Sequence, residues 1–336
     1  MASMKDIAEA CGVSIATVSK ALNNQPDISE PTKKAILRKA DELGYLANSA
    51  ARALKTNRSM NIGVLFVDQG DRGLTHEFFA AVLDSFKVEA ERSGYDITFI
   101  NRRVQARSTS YLHHCLYRGF DGVALICVDF LDPQVQELID SELPVVTVDH
   151  VFPNRPAVIS DNIGGVTELV NHAWEMGHRK IAFIHGEPTA VTENRLAGFR
   201  EACRERNIPI PEEYICSSYY YDAERTYTVT QKLLRLLEPP TCILCPDDFS
   251  VIGAVQALRE AGLRIPEDMS LMGYDGIVIS QVITPPITTF RQNSARIGKT
   301  AARKLIEQIE NPGSASADCT LISGSLLYGD SVADLR

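Results

Sequence analysis

The sequence predicts a multidomain fold: a small all-α headpiece with a helix-turn-helix, followed by a larger two-lobe α/β domain with parallel sheets. The first 45 or so residues carry short helices separated by capping and turn residues. The later residues alternate continuous apolar strands with amphipathic helix-length segments, which is typical of parallel sheets covered on both faces. At 336 residues the chain exceeds a usual single domain of roughly 100–200 residues. We therefore expect two lobes after residue 60.

The headpiece pattern contains three helices. The first covers residues 5–11, and Ser14 can cap a second helix over residues 15–22. Ser29 can cap a third helix over residues 31–43, which has a proline at its start and a glycine just after its end. Two short helices joined by a tight turn form a helix-turn-helix, the unit that many DNA-binding proteins use.

Charge is distributed unevenly along the chain. Residues 1–59 hold nine Lys and Arg against six Asp and Glu, a surplus of three positive charges, whereas the whole chain carries −9. Because phosphates repel an acidic surface and attract a basic one, only the N-terminal end is suited to nucleic acid.

The segment from Asn48 to Thr56 joins the two parts. It is rich in helix formers but has too little apolar surface to be stable alone, so we expect it to fold against a partner. The body after it begins with a buried strand over residues 62–67 and a helix over residues 78–92. Further strands are predicted at residues 97–100, 122–128, 145–148, 181–185, 242–245 and 270–274.

Several collinear motifs carry a resemblance to a known family. They are Asp6-Ile7-Ala8, Gly12-Val13-Ser14, Thr17-Val18-Ser19, Ala21-Leu22-Asn23, Leu43-Gly44-Tyr45, and then Gly177 to Ile181, Arg195 to Phe199 and Gly273 to Asp275. Together they resemble the lactose-repressor/galactose-repressor (LacI/GalR) family over nearly the whole chain. The resemblance implies a headpiece at 1–47, a hinge helix and linker at 48–60, and a periplasmic-binding-protein-like effector and dimerisation domain at 61–336. Its N-lobe would cover about 61–160 and 291–322, and its C-lobe about 161–290 and 323–336.

The resemblance implies that the second helix enters the major groove of DNA. Ile15, Ala16 and Lys20 match the base-reading positions; lysine can donate to guanine, and the apolar side chains can contact thymine methyl groups. Leu54 matches the hinge leucine that wedges open a base step in the minor groove; as an alternative it is an ordinary linker residue. The residues expected to contact phosphates are Ser14, Thr17, Ser19, Asn23 and Ser29.

The resemblance also implies effector-binding residues in the body. Arg195 and Asp275 match the anchors, and their side chains can bind the hydroxyls of a sugar in two-point fashion. Asp161 and Asp247 are further candidates. The aromatic candidates for the cleft, each of which could instead be a core residue, are Phe78, Phe79, Tyr221 and Phe249.

The sequence departs from the family pattern at three places. Asp247 stands where the family usually has asparagine, Gly276 replaces the acidic residue after Asp275, and Gly329 replaces an arginine near the C-terminus. We expect these changes to alter ligand preference.

No catalytic residues, metal ligands or cofactor are expected. Cys242 and Cys245 form a lone C-x-x-C on an apolar strand without the second pair that a zinc site needs, and no nucleophile, base and orienting residue can be assembled. No stretch of about 18 apolar residues suggests a membrane span, and no signal peptide is recognisable. We expect a soluble, cytoplasmic protein.

The predicted function is that of a sequence-specific DNA-binding transcription regulator, with repression as the expected mode of action. Its expected partners are a double-stranded, pseudo-palindromic operator, a second copy of the chain, and a small-molecule effector, a sugar or sugar derivative, held between the lobes. Induction and corepression both fit the sequence, as do repression and activation. The alternatives are a two-lobe solute-binding protein without a DNA role and a regulator controlled by a partner protein.

Overall fold

The computed structural model describes residues 2–22, 25–45, 58–67, 73–101, 103–104, 107–313 and 316–336. The chain divides into two compact units, Met1–Ser59 and Met60–Arg336. Among the described residues, none of the helices combines the length and the apolar character needed to cross a membrane.

The described residues of the first unit form three helices around a small apolar core. Ser3 and Asp6 form a capping box at the start of the first helix, and Gly12 ends it with a left-handed backbone at φ 63°. Ile7, Val18 and Ile36, one from each helix, are fully buried together. The helices are α1 (Met4–Cys11), α2 (Ile15–Leu22) and α3 (Glu30–Glu42).

The second unit contains two six-stranded sheets, one in each lobe. All neighbouring strands of the N-lobe sheet are parallel, and its central strands are almost completely buried, as is typical of a parallel sheet covered on both faces. In spatial order the N-lobe strands are β13 (Cys319–Ile322), β7 (Ala157–Ser160), β6 (Val145–Val148), β5 (Gly122–Ile126), β1 (Asn61–Phe66) and β2 (Asp96–Phe99). A separate antiparallel pair is formed by β3 (Arg103–Val104) and β4 (Arg107–Ser108).

The C-lobe sheet has the same plan with one antiparallel edge strand. Its last strand in the chain pairs antiparallel, and the other five are parallel. In spatial order the C-lobe strands are β14 (Ser325–Leu327), β12 (Thr288–Arg291), β11 (Ser270–Asp275), β10 (Cys242–Leu244), β8 (Ile181–His185) and β9 (Ile215–Ser217).

Helices cover both sheets, as the alternating sequence pattern predicts. The N-lobe core is closed by Ile297, Ala301 and Leu305 of the last helix packing with Val82 and Phe86 of the first body helix. The body helices are α4 (Glu77–Arg92), α5 (Tyr111–Arg118), α6 (Pro133–Ile139), α7 (Asn162–Glu175), α8 (Ala190–Glu205), α9 (Ala223–Leu234), α10 (Val251–Glu260), α11 (Ile279–Val282) and α12 (Ser294–Glu310).

The chain passes between the two sheets three times, after β7, after β12 and after β13. Helix α12 therefore belongs to the N-lobe although it follows a C-lobe strand. A side-chain carbon at Gly298 would lie 2.1 Å from the carbonyl oxygen of Val82, so a glycine is needed where α12 meets α4. Repeated crossings between two sheets form a multi-stranded hinge, on which two lobes can open and close.

Some strand ends differ from the sequence-based expectation. The strand predicted to reach residue 128 ends at Ile126, because Cys127 takes a left-handed backbone at φ 54° and turns the chain out of the sheet. The strand predicted at 242–245 ends at Leu244, before the loop that carries Asp247. The carboxyl ends of the parallel strands thus give way directly to the cleft loops.

Candidate DNA interface and effector site

Helix α2 presents a small, partly apolar face to solvent. Val18 and Ala21 turn inward and are buried, whereas Ile15 is 48% exposed and Ala16 and Lys20 are also exposed. This leaves the three predicted base-reading side chains outside the headpiece core. A helix with that arrangement has the dimensions and chemistry to lie in a major groove.

Lys20 has a partner that the sequence pattern did not suggest. Its ammonium group lies 2.5 Å from a carboxylate oxygen of Asp27, and the hydrogen bond from Lys20 lowers the pKa of Asp27. Both side chains are about half exposed, so the pair is screened by water and easily exchanged. Lys20 can leave Asp27 for a base or phosphate at little cost.

The capping serines lie at the starts of two headpiece helices. The Ser14 hydroxyl accepts from the Thr17 backbone N–H at 3.0 Å, and the Ser29 hydroxyl accepts from the Thr32 N–H at 3.4 Å. A hydroxyl can still donate its own hydrogen to a phosphate while it accepts from the backbone. Ser19 is half-buried, and the predicted contacts Asn23 and Leu54 lie outside the described residues.

Arg195 is a buried cation at the carboxyl end of the C-lobe sheet. It projects from α8, is 5% exposed, and donates to the side chain of Asn162 at 2.8 Å and to the Pro246 carbonyl at 2.9 Å. Its guanidinium carbon lies 3.6 Å above the ring centre of Tyr274. These three contacts fix its position, so Arg195 presents its remaining N–H groups in one direction.

Asp275 ends strand β11 close to that guanidinium. Its Oδ1 atom lies 4.0 Å from Nη2 of Arg195 and accepts from the Gln292 side chain at 2.7 Å. Burial raises the pKa of Asp275 to about 7, and the nearby arginine only partly opposes this.

Two further carboxyls, those of Asp149 and Asp248, interact electrostatically with this pair. Asp149 follows N-lobe strand β6 and accepts from the Ser160 N–H at 2.9 Å; burial raises its pKa. Burial also raises the pKa of Asp248 well above its usual range, and the charge of Asp275 adds to the effect. One guanidinium thus stands among several carboxyls contributed by both lobes. Such concentrations of perturbed groups mark functional sites.

Strained backbone conformations also occur around Arg195 and Asp275. Asp149, Tyr221 and Asp275 have φ angles of 60°, 57° and 103°, in the left-handed region that favours glycine. Each such conformation costs on the order of 1–3 kcal/mol and persists only where the surroundings fix it. Strained residues from both lobes around one polar cluster again indicate a binding site.

Aromatic rings from both lobes meet beside the polar cluster. The Tyr221 ring stacks on Phe249 with centroids 4.0 Å apart, and on His76 of the N-lobe with centroids 4.5 Å apart. Phe79 lies edge-on to Phe66 and His76. Phe78, in contrast, is 5% exposed within the N-lobe core, which is the alternative role that the sequence left open for it.

The two additional aspartates accept hydrogen bonds from backbone N–H groups at or just before the starts of helices. Asp161 accepts from the Gly164 N–H at 2.9 Å at the start of α7. Asp247 accepts from the Ser250 N–H at 2.8 Å just before α10. Their spacing, an aspartate three residues before the bonded amide, is a capping pattern that was visible in the sequence.

The comparisons with known proteins agree for both units. The pattern of the bacterial regulatory proteins of the lacI family matches residues 3–48, and that of a periplasmic-binding-protein-like domain matches residues 170–332. The ribose operon repressor of Haemophilus influenzae is 32% identical over 316 residues, which is 93% of each chain. The transcriptional repressor PurR of Vibrio vulnificus is 30% identical over 317 residues, again 93% of each chain.

The chain belongs to the lacI family.

A solved lac repressor dimer, bound to its operator and the anti-inducer ONPF, has 25% identity and a TM-score of 0.80, and the match covers 99% of both chains. This likeness confirms the predicted fold class. The protein, as a member of the lacI family, is a DNA-binding transcriptional repressor and not an enzyme. Within the described residues of this repressor, no cluster of three or more His, Cys, Asp or Glu is placed to hold a metal ion.

The structure of this lacI-family repressor explains one departure and adds residues that the sequence did not single out. Gly276 has φ 70°, and a side-chain carbon there would lie 2.3 Å from Cβ of Arg291, so the usual acidic residue does not fit. The residues missed are Asp149, Asn162, Tyr220, Tyr274 and Gln292. Asp149 and Tyr274 lie at strand carboxyl ends, which is the signal that could have found them.

Proposed function

We propose that this repressor binds a pseudo-palindromic operator as a homodimer and that a sugar or sugar derivative, bound between the lobes, controls its DNA affinity. The observation that carries the effector class is the separation of Arg195 and Asp275. Nη2 and Oδ1 are 4.0 Å apart, beyond hydrogen-bond distance. Each atom can therefore turn to a group that accepts from the guanidinium and donates to the carboxylate. A hydroxyl does both.

The surroundings of that pair suit a polyhydroxyl ligand. Asn162 and Gln292 already orient the two charged groups, and the partly buried rings of Phe79 and Phe249 supply aromatic surface against which the apolar face of a sugar ring can pack. The similarity to a ribose operon repressor supports a sugar. Phe79, Tyr221 and Phe249 are the aromatic contacts that we propose, whereas Phe78 belongs to the core.

Contacts between the lobes supply the means of control. The Tyr221 hydroxyl donates to the Thr75 carbonyl at 3.4 Å, and the Val278 N–H donates to the Glu77 carboxylate at 2.9 Å. A ligand held by both lobes favours the state in which these contacts are made. It shifts DNA affinity only as far as it prefers one state of the dimer over the other.

A homodimer is supported by the architecture and by the body surface. Large apolar side chains are exposed on α5 (Leu116, Tyr117) and around α11 (Val278, Val282), and residues of this kind are commonly covered at subunit interfaces. The lac repressor at 25% identity is a dimer on its operator. Two headpieces related by a two-fold axis match a two-fold DNA site. A repressor that acts on genomic DNA works in the cytoplasm, and this is the location that we propose.

Binding selection on random duplex DNA with the purified full chain tests this function. We expect a palindromic winning site whose affinity falls steeply with salt, because lysine and arginine contacts release counterions. Titration of that site with and without a panel of neutral sugars then identifies the effector. A sugar that releases DNA is an inducer, and one that tightens binding is a corepressor. Enrichment of no sequence with any sugar present would contradict the proposal.

A further inference from the structure

Asp247 lies where two loops of the cleft meet. The residue is 2% exposed, and its carboxylate accepts from the Ser250 N–H at 2.8 Å, from the Ser250 hydroxyl at 2.8 Å and from the Tyr221 N–H at 2.6 Å. A carboxylate offers about four acceptor positions, and three are used within the protein. Asp247 is therefore poorly suited to contact an effector, the role that the family pattern suggests for it.

The same bonds hold a strained piece of chain. Tyr221 adopts φ 57°, a conformation that a bulky residue takes only when its surroundings impose it. Its backbone N–H is held by Asp247, and the N–H of the next residue, Asp222, donates to the Ser250 hydroxyl at 3.1 Å. The loop is thus fastened at two successive amides to the start of α10.

Tyr221, whose backbone N–H is held by Asp247, is also the residue whose ring contacts the other lobe. Tyr221 stacks on Phe249 of its own lobe with an interplanar angle of 9°, which leaves its other side to His76 of the N-lobe. The Tyr221 hydroxyl donates to the carbonyl of Thr75, one residue before His76. One side chain therefore makes both a stacking contact and a hydrogen bond across the lobe boundary.

We infer that Asp247 is a positioning residue for lobe closure, because it holds Tyr221 in the conformation that places the tyrosine ring against His76 and Thr75. Asp247 itself touches neither N-lobe residue in the contacts described above. Its influence on the N-lobe passes through Tyr221. Under the proposed function the effector acts on this same closure, so that Asp247 sets how readily the lobes close before any effector binds.

An aspartate performs this role where an asparagine does not. Asp247 accepts hydrogen bonds on both side-chain oxygens, two of them from backbone N–H groups. An asparagine has one side-chain oxygen and one NH2 group, so one of those backbone N–H groups would face a donor. The carboxylate at this position is therefore matched to the strained conformation of Tyr221.

Hydrogen exchange of the full-length protein without ligand tests the inference. In Asp247→Asn we expect amides of residues 218–226 to exchange at least tenfold faster, and amides of residues 73–82 in the opposite lobe to follow. The matched control is Asp161→Asn, the same substitution at another helix cap, which does not bond Tyr221. The control should leave residues 73–82 unchanged.

Faster exchange confined to residues 218–226 and 247–254, with 73–82 unchanged, would reduce Asp247 to a local cap and overturn the inference. In Tyr221→Ala the exchange of 73–82 should already be fast, and adding Asp247→Asn should change it no further. If Asp247→Asn does not fold, Tyr221→Ala alone decides: unchanged exchange at 73–82 contradicts the inference. Since no ligand is used, either outcome leaves the proposed effector binding to be judged separately by the sugar titration.

Discussion

The two candidate interfaces of this repressor are built in opposite ways. The face of α2 is exposed, with Ile15 at 48%, and the ion pair between Lys20 and Asp27 is exposed to solvent. The cleft cluster is buried, with Arg195 at 5%, and its charged groups are held by several partners inside the protein. The base-reading side chains of α2 can therefore change with little effect on the fold, whereas a change to the buried effector contacts also disturbs the structure around them.

The difference follows from the size of each partner. A DNA duplex covers a surface from outside, so its contacts need only be exposed and correctly spaced. A small ligand must be largely enclosed to gain affinity, so the groups that bind it are buried even when it is absent. Buried polar groups must then satisfy one another, which makes them structural as well as functional.

The largest effect separating the two interfaces is expected for Arg195→Ala. Removing this cation takes the hydrogen-bond donor away from the Asn162 and Pro246 oxygens and the compensating charge away from the Asp275 carboxyl. We therefore expect the free energy of unfolding to fall by roughly 3–5 kcal/mol. The effector response should be lost, and operator affinity of the folded fraction nearly retained. Denaturant unfolding and operator titration measure both, with Arg200→Ala, an exposed arginine of the same helix, as the control. If the folded fraction of Arg195→Ala loses operator affinity together with the effector response, the separation of the effector site from the DNA interface is contradicted.

A smaller effect is expected at His178, a buried residue of the C-lobe. Its two ring nitrogens bond the hydroxyls of Thr241 and Ser270, and burial lowers the pKa of His178 to about 4. Between about pH 6.5 and 4 the unfolded chain takes up a proton that the folded chain does not, so this residue destabilises the fold as pH falls.

The destabilisation at His178 should reach roughly 2–3 kcal/mol at acid pH. The cleft carboxyls have raised pKa values and act in the opposite sense, so the measurement is the difference between wild type and His178→Gln. The cost of His178→Gln should shrink as pH falls from 6.5 to 4. A difference independent of pH would show that His178 titrates normally.

For the exposed interface, Lys20→Ala should weaken operator binding by roughly 1–3 kcal/mol. Thermal stability should hardly change, because the pair with Asp27 is exposed. The control is Lys5→Ala, which removes an exposed lysine paired with Glu9 on α1. Equal effects of the two substitutions on operator affinity would remove Lys20 from the base-reading set.

The smallest effect is expected for Ser14→Ala, which tests whether an exposed residue can also be structural. Loss of the bond to the Thr17 N–H should destabilise the headpiece by about 1 kcal/mol. Ser14→Asp restores a capping acceptor but places a negative charge near the phosphates. It should recover stability without recovering operator affinity. Recovery of both would show that Ser14 does not approach the DNA backbone.

The headpiece could be predicted from the sequence almost completely, because its determinants are local. Caps such as Ser14 and Ser29 and the stop at Gly12 lie within a few residues of the helices that they bound. Helix α2 was predicted at residues 15–22 and is observed there. The Asp27 partner of Lys20 was missed because it lies across a turn, outside any helical spacing.

The cleft was predictable only in part, because it is assembled from distant segments. Arg195 and Asp275 were identified by resemblance, but Asn162, Gln292 and Asp149 lie close to them only in the folded sheets, where distant strands are neighbours. The remaining properties of the site depend on burial. The pKa of Asp275, the position of Phe78 in the core and the capping role of Asp247 depend on what surrounds each side chain.

The reciprocity of operator and effector binding tests the central claim most directly. The claim is that the cleft and the DNA-binding face are coupled through the dimer. With the selected operator and the active sugar, we predict that the sugar changes operator Kd at least fivefold and that saturating operator changes sugar Kd by the same factor. Arg195→Ala should abolish both changes. A sugar that binds with the same Kd with and without operator would contradict the account.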